Sequence, residues 1–379
     1  MLCFEVFTTR SLRRGRRVHP GTARTACDGP LAGAGRDHGP DHGARGAGLV
    51  LAAVVVAGLL AVGAGPLHAA QGSAAADTVR PTWSWTLDQP IHVFAQTLNV
   101  TQSVAGADST REAVEYDMRP EADGEGVLLR FTDVAFVGDS VPGTPEEELA
   151  RRMSTLFPDW KIGRGGKLVG LSGTDGLVKR ARAILDTLFA DVPETTLSDF
   201  LRQAVNEDQM LLDARREWDG MVERWNGRDL VLGEFVREQS EEDLPLVSDT
   251  PVPHEHEFGA MRMVPCAADV TDRTPAPGPS GAADCVEFVL RSYPAELEMR
   301  RFMERFLEQM FVDMLGGEAP VVRVPEMRVM VETVLVADPD GLLPYRMRQT
   351  NSTRGRFEVE NESAPFGSVI EVTYTFERR

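Results

Sequence analysis

The chain has 379 residues, 42% of them hydrophobic, and a formal net charge of −18. That length and apolar fraction suit roughly one to three globular domains with a sizeable core. The acidic balance argues against nucleic acid as a partner, because phosphate binding needs clustered lysine and arginine; its simplest meaning is solubility.

The first 70 residues differ from the rest. Arg10, Arg13, Arg14, Arg16, Arg17, Arg24, Arg36 and Arg45 face only Glu5, Asp28, Asp37 and Asp41. Residues 1–46 therefore form a basic leader with no helical or strand period. From Ala47 to Leu67 no residue is charged, and small residues follow to Ala76. A basic flank, an apolar run and small residues make residues 47–76 an export signal. The run 47–67 is also about long enough to span a bilayer as an anchor, since roughly 20 apolar residues suffice, with the arginines inside. Without its first 70 residues the chain keeps 32 basic and 54 acidic residues, a net of −22.

Residues 77–379 read as one α+β body outside the cytoplasm. Trp83, Trp85 and Leu87 alternate in TWSWTL, which predicts a strand, and IHVFAQTLNVTQSV, REAVEYDM and GVLLRFTDVAFV predict an antiparallel meander. Thr144-Pro145-Glu146-Glu147 opens a helix with a capping box. Trp160–Ile162 and Lys167–Gly170 form a short hairpin around four turn residues. Three helices follow: one through Leu177, Ala181 and Leu185, a short one from Thr196, and one through Met210, Ala214, Trp218 and Trp225 that stops by Gly227. Glu238–Pro253 reads as an exposed, acidic, Pro-containing loop.

Cys266 and Cys285 are the only cysteines of the exported body. Each borders an apolar run, and the segment between them is rich in proline and glycine. A hairpin with a disulfide across the mouth of its loop is the economical reading in an oxidising compartment. In Ala295–Leu315, residues Met299, Phe302, Met303, Phe306, Leu307, Met310, Phe311 and Met314 recur at the steps of one helix face. VVRVPEMRVMVETVLVAD, LPYRMRQT, GRFEVE and SVIEVTYTFE are late strands; the last sends Ile370, Val372, Tyr374 and Phe376 to one side. Strands with amphipathic helices to cover them imply α+β, a large curved antiparallel sheet (or two smaller ones) with helices on one face.

No cofactor or catalytic set emerges. KIGRGGKL lacks the spacing and hydroxyl of a phosphate loop, and GLSGT lacks the second glycine of a nucleophile elbow. The exported body has three histidines, His92, His254 and His256. His254 and His256 would share a strand face, as two ligands of a copper, nickel or zinc site must. No third ligand can be placed, and the flanking residues suit an exposed loop, so no metal is assigned. Asn99, Asn351 and Asn361 match the glycosylation pattern but read as ordinary strand and turn residues. The six-residue set Met299, Phe302, Met303, Phe306, Met310 and Phe311 has two readings: core packing, or an adaptable apolar pocket, since methionine tolerates varied ligand shapes.

QTLNVTQSV, VLLRFTDVAFV, GRGGKLVGLSG and VETVLVADPDGLLPYRMRQT together resemble bacterial exported proteins of unknown function across most of residues 82–376. The plan of strands wrapped around helices is similar to that of periplasmic lipoprotein carriers, a likeness of architecture that carries over no functional residue. The resulting expectation is an exported, non-enzymatic periplasmic or envelope protein that holds a lipid or an acylated protein. The alternative is an envelope interaction or structural protein with a filled core.

Overall fold

Strands dominate because the apolar residues recur at every second position. Ile91, Val93 and Ala95 are buried, while His92, Phe94 and Gln96 between them are only partly so. The computed structural model describes residues 77–87, 89–103, 106–124, 126–138, 151–153, 155–188, 205–244, 251–266, 284–315, 320–359 and 362–378. The leader, the apolar run, the start of the helix expected at Thr144 and the helix expected from Thr196 lie outside those residues.

In chain order the elements begin with β1 (Thr78–Val79), β2 (Ile91–Ser103), β3 (Gly106–Asp123) and β4 (Gly126–Phe136). The last three form the expected meander. β5 (Asp159–Ile162) and β6 (Leu168–Ser172) make the short hairpin, turned by Gly165 and Gly166 at φ +77° and +78°, a region that favours glycine. Helix α1 (Thr174–Leu188) buries Leu177, Ala181 and Leu185. Helix α2 (Glu207–Trp218) is capped by Asn206, whose side chain accepts from the Gln209 amide at 2.8 Å. It continues into a π turn, Asp219–Glu223. Then come β7 (Leu230–Val231), β8 (Val236–Glu242), β9 (Val252–Pro265) and β10 (Asp284–Pro294). Helix α3 (Glu296–Leu315), β11 (Val322–Ala337), β12 (Pro344–Val359) and β13 (Glu362–Arg378) complete the chain.

β1 pairs only with β7. The other eleven strands form one antiparallel sheet in the order β6-β5-β4-β3-β2-β13-β12-β11-β10-β9-β8, open at β6 and β8. The C-terminal strand lies between β2 and β12, so an early and the last strand of the described chain meet in the middle of the same sheet. Ile370, Val372, Tyr374 and Phe376 are buried and the residues between them are partly exposed, as expected.

Three expectations need correction. Residues 80–86 are not a strand. They form a strap whose amides seek scattered partners: Thr82 donates to Pro339 O, Trp83 to Asn226 Oδ1 and Ser84 to Gly341 O. Trp83 and Trp85 both turn onto Trp218, at 6.1 and 5.5 Å between ring centroids, so their alternation marks no sheet face. Glu238–Pro253 is not a single exposed loop, because β8 runs to Glu242 and β9 starts at Val252. β8 is an edge strand, and charge on an edge blunts pairing with other chains; VREQSEE therefore looks like loop while pairing with β9 along its length. LPYRMRQT and GRFEVE are one continuous strand, β12.

Two cores carry most of the packing. The larger joins Trp218, Met221, Val222 and Trp225 of the α2 region to Val93, Tyr116, Trp160, Phe258, Phe288, Leu335 and Tyr374 from the sheet. The second gathers α3 with β11, Phe357 and Phe366. A smaller cluster holds the disulfide Cys266–Cys285 together with Val264, Val289, Val334 and Val336.

Candidate functional site

The apolar face of α3 forms as its spacing demands. Met299, Phe302, Met303, Phe306, Met310 and Phe311 are each 6% exposed or less. Val322, Val324, Met327 and Val329 of β11, Phe357, Phe366, Leu244 and Val252 cover them. The polar flank of the helix serves β11 as well: Glu304 accepts from the Val324 amide at 2.8 Å, and Arg300 donates to Pro325 O at 2.9 Å. Those backbone groups lie at the register shift between Arg323 and Glu326, where a bulge disrupts the ladder. The predicted ligand-binding set is thus brought together, but its surface is spent on protein. The Met314 side chain lies outside the described residues.

A cleft of about 210 Å³ opens elsewhere, between the strap and the β11–β12 turn. Ser84, Trp85, Gln89, Asp338, Asp340 and Arg378 are among its lining residues. The turn is held tightly: Leu342 N donates to Asp338 O at 2.8 Å, and Trp85 Nε1 to Leu342 O at 3.1 Å. Leu342 is fully buried at φ +50°, a conformation costly for a branched side chain.

His254 and His256 share one face of β9, as two-residue spacing requires, but they are 5% and 4% exposed rather than in an exposed loop. Glu242 stands between them, with Oε2 3.8 Å from His254 Nε2 and Oε1 3.7 Å from His256 Nε2. Arg216 of α2 reaches the same carboxylate at 2.9 Å. Burial pushes the Glu242 carboxyl up, but Arg216 and His254 outweigh it and hold the group below the ordinary range. Glu241 and Asp243 on either side of Glu242 are exposed, while Glu242 itself is only partly so. Among the described residues, no group of three His, Cys, Asp or Glu side chains is placed to hold a metal ion.

His92 makes a second polar group on β2 and β3. Its Nδ1 lies 3.0 Å from Asp117 Oδ1, and Arg119 bridges Asp117 and Asp133 at 3.3 and 3.0 Å. Asp117 is 6% exposed. The pairing can fix a tautomer and an orientation, but among the described residues the His92 ring nitrogens face the carboxylates of Asp117 and Glu115 and no nucleophile, which acyl-transfer chemistry of the His–Asp type requires.

Sequence reasoning named the three histidines and missed their partners. Glu242 is 12 residues from His254, and Arg216 lies on a helix further upstream, so no short spacing pattern joins them. The pairing of β8 with β9 brings Glu242 to the histidines, and the packing of α2 brings Arg216 to Glu242. Asn99 is 5% exposed in β2, which suits a strand residue rather than a glycosylation acceptor. No protein-family model and no curated protein matches the chain.

Proposed function

We propose that this chain is an exported, non-enzymatic cell-envelope protein whose α+β body is an interaction scaffold with a filled core. One observation carries the reading: all six side chains of the candidate ligand face are 6% exposed or less, covered by β11 and its neighbours. Interiors packed in this way leave no room for a ligand beside them. The architecture is a curved sheet with its helices on one face. Alternation along β11 puts Met327 and Val329, which meet α3, on the same side as Thr333, which meets Gly220 of the π turn. Residues 47–76 direct export, and 47–67 give the means of membrane contact if retained. An acidic body (net −22 beyond residue 70) takes no nucleic acid, and no cofactor is assigned.

A carrier for lipid or an acylated protein is the second reading. It is favoured by the methionines of α3, adaptable in shape, and by a helix that rests chiefly on the single strand β11. Lifting α3 would then open the acyl site. The test is native mass spectrometry with lipid extraction on the chain exported by its own signal and purified without detergent. The scaffold reading expects the bare protein mass and no uptake of a fluorescent fatty acid. A bound acyl species, lost on Phe306→Asp or Met310→Asp in protein that still folds, would replace it with the carrier reading.

A further inference from the structure

His254 and His256 meet one carboxylate in the angle between α2 and the β8–β9 hairpin. Their rings are nearly parallel, at 11°, with centroids 6.0 Å apart. His254 Nδ1 lies 2.9 Å from Val252 O. A carbonyl oxygen can only accept, so Nδ1 carries the ring proton and Nε2 presents a lone pair. That lone pair faces Glu242 Oε2 at 3.8 Å. His256 Nε2 lies 3.7 Å from Glu242 Oε1 and 2.8 Å from Ser240 Oγ, and its Nδ1 is buried with no hydrogen-bond partner among the described residues. Nitrogen lone pairs beside a carboxylate make a place for a cation, and a proton is the cation that needs no further ligand.

The surroundings keep that proton out at neutral pH. From β8, Glu238 and Glu242 face the pair. From α2 comes Arg216, bound to Glu242 at 2.9 Å. Arg224, just after the π turn, bridges Asp219 at 2.6 Å and Glu238 at 3.2 Å, and Arg228 adds a second arginine to Glu238. Asp213 and Glu217 are the remaining acids of this part of α2. β10 contributes the uncharged Ser292, opposite His256, and Pro294, opposite His254. Glu238, Glu242 and Asp219 are therefore already matched by three arginines, and a charged imidazole would add surplus positive charge at a buried place. Burial first, then Arg224, pushes His256 down to about 4. Burial likewise pushes His254 down, Arg216 adding to it against the pull of Glu242. The same arginines oppose a divalent ion.

The site also lies on the seam between the two cores. Leu212 of α2 and Val252 of β9 pack into the cluster around α3. The carbonyl of Pro253 accepts the Ala295 amide at 2.8 Å, at the start of α3. We infer that His254, His256 and Glu242 form an acid-operated clasp: with neutral imidazoles it holds α2 on the edge hairpin, and on protonation it releases them and exposes the part of the Met/Phe face of α3 that Leu212, Leu244 and Val252 cover. Because the folded-state pKa values are depressed, the clasp is at full strength above about pH 6.5, the ordinary histidine value, and weakens as pH falls below it. The clasp stands whether or not the protein carries a ligand.

The test is hydrogen exchange by mass spectrometry on the full chain, corrected for intrinsic rates, with bis-ANS fluorescence in parallel. Wild type is expected to gain bis-ANS signal, and the α2 and β9 amides to exchange about tenfold faster, as pH falls from about 7 to about 4.5. H254Q/H256Q is expected to stay closed over that interval, its opening midpoint moved down by about one pH unit or more. Circular dichroism at neutral pH checks its folding; should it fail, H254Q and H256Q singly are each expected to move the midpoint part of the way. An unmoved midpoint would overturn the clasp in favour of carboxylate-driven acid unfolding, as would exchange rising equally along the whole sheet. A melting temperature raised by zinc in wild type but not in H254Q/H256Q would overturn it in favour of a metal site.

Discussion

At Gly259 only a hydrogen fits. A Cβ there would run into the carbonyl oxygen of Glu234, a backbone atom that no rotamer change can move. Gly355 is tight in another way: a Cβ would meet the Phe366 ring at 2.5 Å and Glu326 O at 2.8 Å. Gly170 has nothing within 4 Å. Overpacking costs about 1–3 kcal/mol, whereas alanine at a tolerant glycine is neutral or slightly stabilising. G259A and G355A are therefore expected to lower urea midpoints clearly, and G170A to leave its midpoint unchanged or raise it. Equal effects at all three sites would mean that strand propensity, not contact, governs them. None of this is legible in sequence, where the three glycines look alike. Their difference is made by Glu234 and Phe366, brought close only by the folding of the sheet.

Among elements, the β9–β10 hairpin was the most legible and the strap the least. Cysteines bordering two apolar runs around a Pro/Gly-rich segment announce a closed loop, and the bond joins positions 19 apart. A loop of that size contributes ~3 kcal/mol by chain entropy. β9 and β10 pair from Pro265 to His254 and β10 also pairs with β11, so C266S/C285S is expected to fold, with a lowered denaturant midpoint and an unchanged far-UV spectrum. A lost spectrum would make the bond a condition of folding. The strap misleads because its two tryptophans alternate like strand residues while its hydrogen bonds go to an asparagine side chain and turn carbonyls. Asn226 links it to the β5–β6 turn, accepting from Trp83 N at 2.9 Å and donating to Gly165 O. Leaving such groups unpaired costs about 1–3 kcal/mol. N226A is expected to bring protease cleavage before residue 90 at concentrations that leave wild type whole, and cleavage elsewhere first would deny the strap its role as a closing element. The histidine pair falls between these cases: two-residue spacing gave the shared face, but burial and charge partners came from α2 and β8, which no local pattern links to β9.

At the scale of the whole molecule, the open question is whether α3 belongs to the same cooperative unit as the α2 core. All five tryptophans, Trp83, Trp85, Trp160, Trp218 and Trp225, lie in or against the larger core, and none lies in the cluster around α3. Tryptophan fluorescence is thus a local probe of one end. β11, β12, β13 and β2 pair over most of their lengths, and β11 contributes to both cores, Leu335 to the first and Met327 to the second. A strand shared in this way couples the two, because losing one core exposes the backbone that supports the other. Urea unfolding followed by fluorescence and by hydrogen exchange of α3 peptides is therefore expected to give coincident midpoints. Exchange in α3 that rises at lower urea would mark it as a separable flap of low local stability. That is the behaviour a carrier needs and a filled scaffold does not, so the order of the two transitions decides between the readings without a ligand in hand.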